Sequence, residues 1–207
     1  MEDLQIEKAD KKKKFKRVPA EIPITQITPL DITCGSTKCD DELHCFRMSN
    51  KDIKKQGKKG VCKECGADLV DWKRVHENNI EDAEYMFNML KKELIRHVYW
   101  HTDIDPEAIK IAIKRGKVEL ATRARKLLSQ KVGKSQNWNE GRQTPMMGNE
   151  IITYAQHATA TCCRRCMEYW HDITPGTNLT EEQLDYCVEL VIRFIDERVP
   201  FEIDEIK

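Results

Sequence analysis

Cysteine and histidine are the residues of this chain best able to do chemistry, and most of the nine cysteines fall into two clusters. The denser cluster lies in AQHATATCCRRCMEYWH, residues 155–171. Cys163 and Cys166 have the spacing with which one helical turn holds an ion, and a histidine on either side could complete a tetrahedral set. Sulfur and imidazole ligands select zinc over magnesium or calcium. The predicted ligands of this back site are His157, Cys163, Cys166 and His171, with Cys162 as an alternative.

The back site has several interpretations. A zinc ion with three protein ligands keeps a position for water, whose pKa it lowers to about 7, and this would make a hydrolase conceivable. Arg164 and Arg165 would then orient an anionic substrate. A structural zinc site, buried reduced thiols and a redox role are the alternatives.

The front cluster runs from Cys34 to Trp72, and its last two cysteines form the motif Cys62-x-x-Cys65-Gly66. This motif is typical of a zinc knuckle, in which glycine permits the backbone angle after the second thiolate. A complete set of four ligands favours a structural zinc ion over a catalytic one. The preferred ligands are Cys39, Cys45, Cys62 and Cys65, and Cys34 and His44 are alternatives.

Two further groups of polar residues could contribute to a site. His97 and His101 share one helix face with Glu93 at i, i+4 spacing, although packing or capping is the preferred interpretation. Residues 133–148 are predicted to form a long loop, and such loops often carry function. Arg142, Gln143 and Thr144 in this loop are therefore candidate contacts for an anion or substrate.

Apolar periodicity predicts the helices that must position these residues. One helix is expected over 79–101, a second from Asp105-Pro106 to about residue 114, and a third over 118–131. Residues 161–171 are expected to be helical, and Thr180 with Gln183 forms a capping box that starts the last helix. The segment 150–158 could be a strand or a helix.

The predicted fold is mainly α with a small zinc-ribbon-like β/loop module, and its two metal-stapled modules are expected to pack as one body. Residues 1–30 are assigned to a basic arm and extended segment, and 31–75 to the zinc-ribbon-like module. Residues 76–132 are assigned to a helical segment, and 133–207 to a Cys/His-rich helical module.

Charge is distributed unevenly along the chain. Residues 1–142 contain 30 Lys and Arg against 23 Asp and Glu, whereas residues 143–207 contain 5 against 12. The basic part could bind nucleic acid through Lys51 to Lys63 and Lys110 to Lys134. The preferred explanation is a solvated surface together with attraction between the two parts.

The compartment is inferred from the N-terminus and from the cysteines. No apolar signal core follows Met1, so a reducing cytoplasm is expected, where thiolates bind metal rather than form disulfides. No apolar stretch is long enough to predict a membrane span. The oligomeric state does not follow from the sequence.

The segment QTPMMGNEIITYAQHATATCCRRCMEYW, residues 143–170, resembles an uncharacterised bacterial family, a domain of unknown function, with a TPM-x-G stretch, AQHATATCCR-x-C and Trp-His. Asn149 stands where members of that family often have histidine. The resemblance implies one shared site and no particular activity. Its implied members are His157, Cys162, Cys163, Arg164, Cys166 and His171.

The leading functional hypothesis is a binding or adaptor protein that is stabilised by two zinc ions and docks on nucleic acid. The alternative is a zinc-dependent hydrolase or nuclease centred on His157, Cys163, Cys166 and His171, in which Arg142 and Arg164 contact the substrate.

Overall fold

The computed structural model describes residues 17–135 and 148–201. This part of the chain is mainly helical, as predicted, and contains the following α-helices: α1 Asn50–Gln56, α2 Trp72–His76, α3 Ala83–Leu90, α4 Leu94–His101, α5 Pro106–Lys131, α6 Ile151–Ala158, α7 Arg164–His171 and α8 Glu181–Arg198. The segment that could have been a strand or a helix is therefore α6. None of the described helices combines the length and the apolar composition that a bilayer crossing requires.

The N-terminal cysteine module contains short helices and turns, and the β part of the predicted zinc ribbon is not seen among its described residues. Its β pairing is limited to two isolated bridges, Lys38 with Leu43 and His44 with Glu93. The lysine-rich stretch between the cysteine pairs forms α1. The side chains of Ser49 and Asp52 cap this helix reciprocally, and Gly57 ends it with a φ of 71°.

The single helix expected over 79–101 is divided in two. A 3-10 turn at Ile80–Asp82 leads into α3, and α4 starts only at Leu94. Between them the backbone pairs with His44, whose N–H donates to the Lys92 carbonyl at 2.8 Å and whose carbonyl accepts from the Leu94 N–H at 2.9 Å. This long-range pairing competes with the helix and connects the front cysteine module to α4.

Helix α5 is interrupted at Gly116, in agreement with the two helices predicted on either side of it. The φ and ψ angles of Gly116 are 70° and 167°. Residues other than glycine essentially never adopt this combination of φ and ψ.

We expect Gly116→Ala to destabilise the protein by about 1–3 kcal/mol because of this backbone strain. A Cβ atom at this position would meet no atom within 4 Å, so a steric clash does not contribute. Urea unfolding of the variant beside Lys114→Ala, an exposed position two residues away, measures the difference. Equal stability of the two variants would show that the glycine conformation is not required.

The buried apolar residues form one cluster that extends from Val18 to Val199. Helices α5 and α6 both pack on α8, and α4 packs on α6. The predicted capping box at the start of α8 is confirmed, with Thr180 and Gln183 each bonding the backbone of the other. The helices that carry the back cysteines therefore share a core with the front segment.

Ion pairs connect the basic and acidic parts of the chain. Lys117 pairs with Asp196 of α8 at 3.0 Å, and Lys91 pairs with Glu197 at 2.9 Å. Arg125 pairs with both Glu181 and Asp185, and Arg123 pairs with Glu150. Most of these pairs are exposed, where each contributes only about 0–1 kcal/mol. Part of the charge asymmetry thus serves contacts within the molecule.

Candidate metal centres

The front group consists of Cys39, His44, Cys62 and Cys65, whose ligand atoms all lie within 4.8 Å of one another. The Cys39 and Cys62 sulfurs are 3.8 Å apart, and the Cys65 sulfur is 3.5 Å from His44 Nδ1. Zinc bonds of about 2.3 Å to sulfur and 2.0–2.1 Å to nitrogen give a tetrahedron with edges of about 3.8 Å and about 3.5 Å. These two separations therefore match those of a tetrahedral zinc site.

Local turns bring the front ligands together. Cys39 starts the 3-10 turn Cys39–Asp41, which the bridge between Lys38 and Leu43 closes. The Gly66 N–H donates to the Cys62 carbonyl at 2.8 Å, and Gly66 has a φ of 78°. This is the tight turn that the Cys-x-x-Cys-Gly motif predicts. The fourth ligand, His44, is held by its backbone pairing with residues 92 and 94.

Cys45 and Cys34, which were also candidates for the front ion, lie outside this group. The Cys45 sulfur donates to the Cys34 carbonyl at 3.3 Å, and burial raises the pKa of the Cys45 thiol to about 12. Neighbouring side chains point to opposite sides of an extended chain. His44 faces the Cys65 sulfur, whereas the Cys45 sulfur faces the Cys34 and Arg47 carbonyls, and spacing alone does not decide between the two residues.

The back group consists of Cys162, Cys163 and Cys166, all buried, with sulfurs within 4.8 Å of one another. The Cys163 and Cys166 sulfurs are 3.5 Å apart. Cys163 is the N-cap of α7 in extended conformation, and Cys166 lies in the first turn. The sequence predicts Cys163 and Cys166 as ligands of the back site and Cys162 as an alternative ligand.

The buried cation Arg96, which no sequence motif indicated, lies beside these thiols. Arg96 Nη2 donates to the Cys166 sulfur at 2.9 Å, and Arg96 Nη1 lies 3.8 Å from the Cys162 sulfur. Arg96 Nε donates to Glu93 at 3.3 Å, and the same carboxylate oxygen accepts from Trp170 Nε1 at 3.0 Å. Arg96 and Glu93 are 1% and 2% exposed.

Burial has opposite consequences for these ionisable groups. It raises the pKa of the Glu93 carboxyl, an effect that the Arg96 charge opposes. Burial is the largest single effect on Arg96 and would lower its pKa, but the negative charges of Cys166, Cys162, Glu93 and Cys34 together raise it. Hydrogen bonds from Cys162, then Cys163 and Cys34, hold the pKa of the Cys166 thiol well below its usual range. Cys166 is therefore the natural thiolate of the group.

The two histidines predicted to complete the back site do not join the group. His171 Nε2 lies 2.9 Å from the Thr159 carbonyl oxygen, and burial lowers the pKa of His171 to about 4. The His157 ring stacks on Tyr99 at a centroid distance of 4.4 Å. The backbone carbonyl of His157 accepts a hydrogen bond from Arg96 Nη1. Both are buried and packed among other residues.

The remaining candidates have varied surroundings. His97 and His101 contact each other, with ring centroids 4.2 Å apart, and belong to neither group. Arg164 is buried and donates to the Val132 and Thr177 carbonyls, so it connects two loops to α7. Arg165 is exposed on α7. Arg142, Gln143 and Thr144 lie outside the described residues.

Fold and sites together define a mainly helical protein with two Cys/His clusters that could hold metal ions. The chain belongs to the family described as domain of unknown function DUF4186, which matches residues 84–196. This confirms the resemblance to an uncharacterised family and extends it towards both termini. The back cysteines lie within the match, whereas the front group precedes it. No solved structure matches the chain.

Proposed function

We propose that this protein is a zinc-stabilised binding protein that docks single-stranded nucleic acid in a cleft between its two cysteine clusters. The front group carries the zinc part of the proposal, because its four candidate ligand atoms lie within 4.8 Å of one another and two of their separations match the edges of a zinc tetrahedron. Closed sites of this composition are typical of structural zinc, with no position left for a substrate.

The cleft has a volume of about 610 Å³ and lies between α1, α2 and α7. The partly exposed rings of Trp72 and Tyr169 line it, with ring centroids 5.0 Å apart. Unpaired bases stack on aromatic rings with little dependence on sequence. The rings favour a single strand, because a duplex keeps its base faces covered.

Cations surround these rings. Arg47, Lys59 and Arg165 line the cleft, and none of them forms an ion pair with any residue that the structure describes. The carboxylates of Glu168 and Asp172 also line it, so the cations exceed them by only one. Helix α1, which lines the cleft through its side chains 50 and 53, adds exposed lysines at 51, 54 and 55. Phosphate contacts would come from these groups.

The second tract predicted to bind nucleic acid, residues 110–134, supports the proposal less well. Several of its cations pair with acidic side chains within the molecule, among them Arg115, Lys117, Arg123 and Arg125. We therefore place the docking surface on the front cluster and α7.

We expect the triple variant Arg47→Glu/Lys59→Glu/Arg165→Glu to lose most affinity for labelled single-stranded RNA and DNA in fluorescence anisotropy. Each phosphate contact on a single strand contributes about −0.7 to the slope of log K against log salt, so removing three contacts makes the slope shallower by about 2. The control, Lys114→Glu/Lys126→Glu/Lys134→Glu, makes the same charge change on the other tract and retains binding. No binding by the unmodified protein at low salt would refute nucleic-acid docking, and equal losses in both variants would refute the cleft.

The alternative, a zinc-dependent hydrolase at the back cluster, has less support. It relies on imidazoles of His157 and His171, and both rings pack elsewhere. The cavity beside Cys166 has a volume of only about 10 Å³, which is too small for a substrate.

A further inference from the structure

A fourth cysteine lies beside the three thiols of the back group. Cys34 hydrogen-bonds the Cys166 sulfur, although 132 positions separate them in the sequence. Cys34 and Cys166 also line the same small cavity, together with Glu93 and Arg96. Cys166 thus contacts Cys34 in addition to Cys162 and Cys163, and Cys34 lies just outside the group whose sulfurs are all within 4.8 Å of one another.

The backbone around Cys34 is held in place. The Ser36 N–H donates to the Thr33 carbonyl at 3.0 Å, and the Thr33 N–H donates to the Ser36 hydroxyl at 3.0 Å. The Cys34 carbonyl accepts from the Cys45 sulfur at 3.3 Å. The buried Cys45 therefore orients the turn that presents Cys34, which gives it a positioning role outside the front group.

The electrostatic surroundings suit several thiolates bound to one ion. Four thiolates and one divalent ion carry a net charge of −2, and a buried negative charge requires compensation. The Arg96 guanidinium donates to the Cys166 sulfur, and Cys163 and Cys166 lie at the N-terminus of α7, where the helix dipole is positive. Arg47 and Arg165 line the same cavity.

We infer that Cys34, through its contact with Cys166, joins Cys162, Cys163 and Cys166 as the fourth ligand when a single divalent ion of the zinc class binds, which closes a four-thiolate site. The site ties the segment before the family match to the family domain, since Cys34 precedes residue 84 and the other ligands lie within 84–196. With all four positions taken by protein, the ion is structural. This inference deepens the proposed function and rests on its zinc binding.

Cadmium-113 NMR of the full-length protein, exchanged with cadmium chloride, tests the inference because the resonance moves downfield with each additional thiolate ligand. We expect two resonances, and the four-thiolate one lies further downfield. Cys34→Ser shifts or abolishes only this resonance, and metal analysis falls by at most one ion per chain. Cys34→His, which can still hold the ion, retains the resonance at an upfield position and keeps the test valid if the serine variant does not fold.

The other outcomes separate the inference from the proposed function. A shift of the front resonance in Cys34→Ser would assign Cys34 to the front ion, and two unchanged resonances would leave it without a ligand role, so either result overturns the inference while zinc binding stands. Absence of bound metal from the unmodified protein would overturn both.

Discussion

Cys62→Ser is expected to remove the front zinc ion and unfold the front module, whereas Cys45→Ser, whose hydroxyl can still donate to the Cys34 carbonyl, retains both ions. The two residues form a matched pair, since both are fully buried cysteines and only Cys62 lies in the front group. Structural zinc contributes about 10–16 kcal/mol of apparent binding free energy in zinc-finger peptides at pH 7. Losing a ligand therefore removes an amount comparable to the whole stability of a domain, about 5–15 kcal/mol.

Elemental analysis, together with limited proteolysis of residues 34–76, measures this effect. Cys62→Ser should contain one zinc ion fewer than the unmodified chain and be cleaved within the front module. The reverse pattern, with zinc lost from Cys45→Ser and kept by Cys62→Ser, would show that Cys45 is a ligand and Cys62 is not. Zinc loss in both variants would leave Cys45 in the ligand set, as spacing alone favoured.

Arg96→Met is expected to destabilise the protein by about 3–5 kcal/mol, the usual cost of removing one partner of a buried ion pair. The change leaves the buried Glu93 with the Trp170 N–H as its remaining side-chain donor among the residues that the structure describes, and it removes the cation beside Cys166. Denaturant unfolding with zinc present measures the loss. The control is Arg193→Met, which removes an exposed pair with Glu189 and should cost less than about 1 kcal/mol.

A double variant checks the cause of this destabilisation. Glu93→Gln/Arg96→Met removes the buried carboxylate that Arg96→Met leaves without its cation, and it should recover part of the lost stability. A double variant less stable than Arg96→Met would show that the carboxylate is not the source of the cost. If Arg96→Met is as stable as Arg193→Met, the buried guanidinium has no structural role.

Local signals predicted much of the helical framework. The capping box at Thr180 and Pro106 at the start of α5 act within one helical turn, so the sequence reveals them directly. The interruption near Gly116 follows for the same reason, since only glycine adopts that backbone conformation readily. The break before Leu94 could not be predicted, because it depends on backbone pairing with His44, which is distant in sequence.

The metal sites show the same division. Cys62-x-x-Cys65 and Cys163-x-x-Cys166 are close in sequence, so their spacing is enough to predict that each pair acts together. Arg96 could have been suspected only as a charge on a helix whose other residues are apolar apart from His97 and His101, and spacing gives no indication of its contact with Cys166. The choice between His44 and Cys45 depends on the direction of each side chain.

The sequence by itself determined the helical class, the two cysteine clusters and the family, because these follow from periodicity, short spacings and motifs. Only the tertiary structure decided that His44 faces the front thiolates, that Cys34 reaches Cys166, and that Arg96 and Glu93 lie buried between the clusters. Side-chain direction and long-range contact are set by packing of segments far apart in the chain, and no local pattern of residues records that packing.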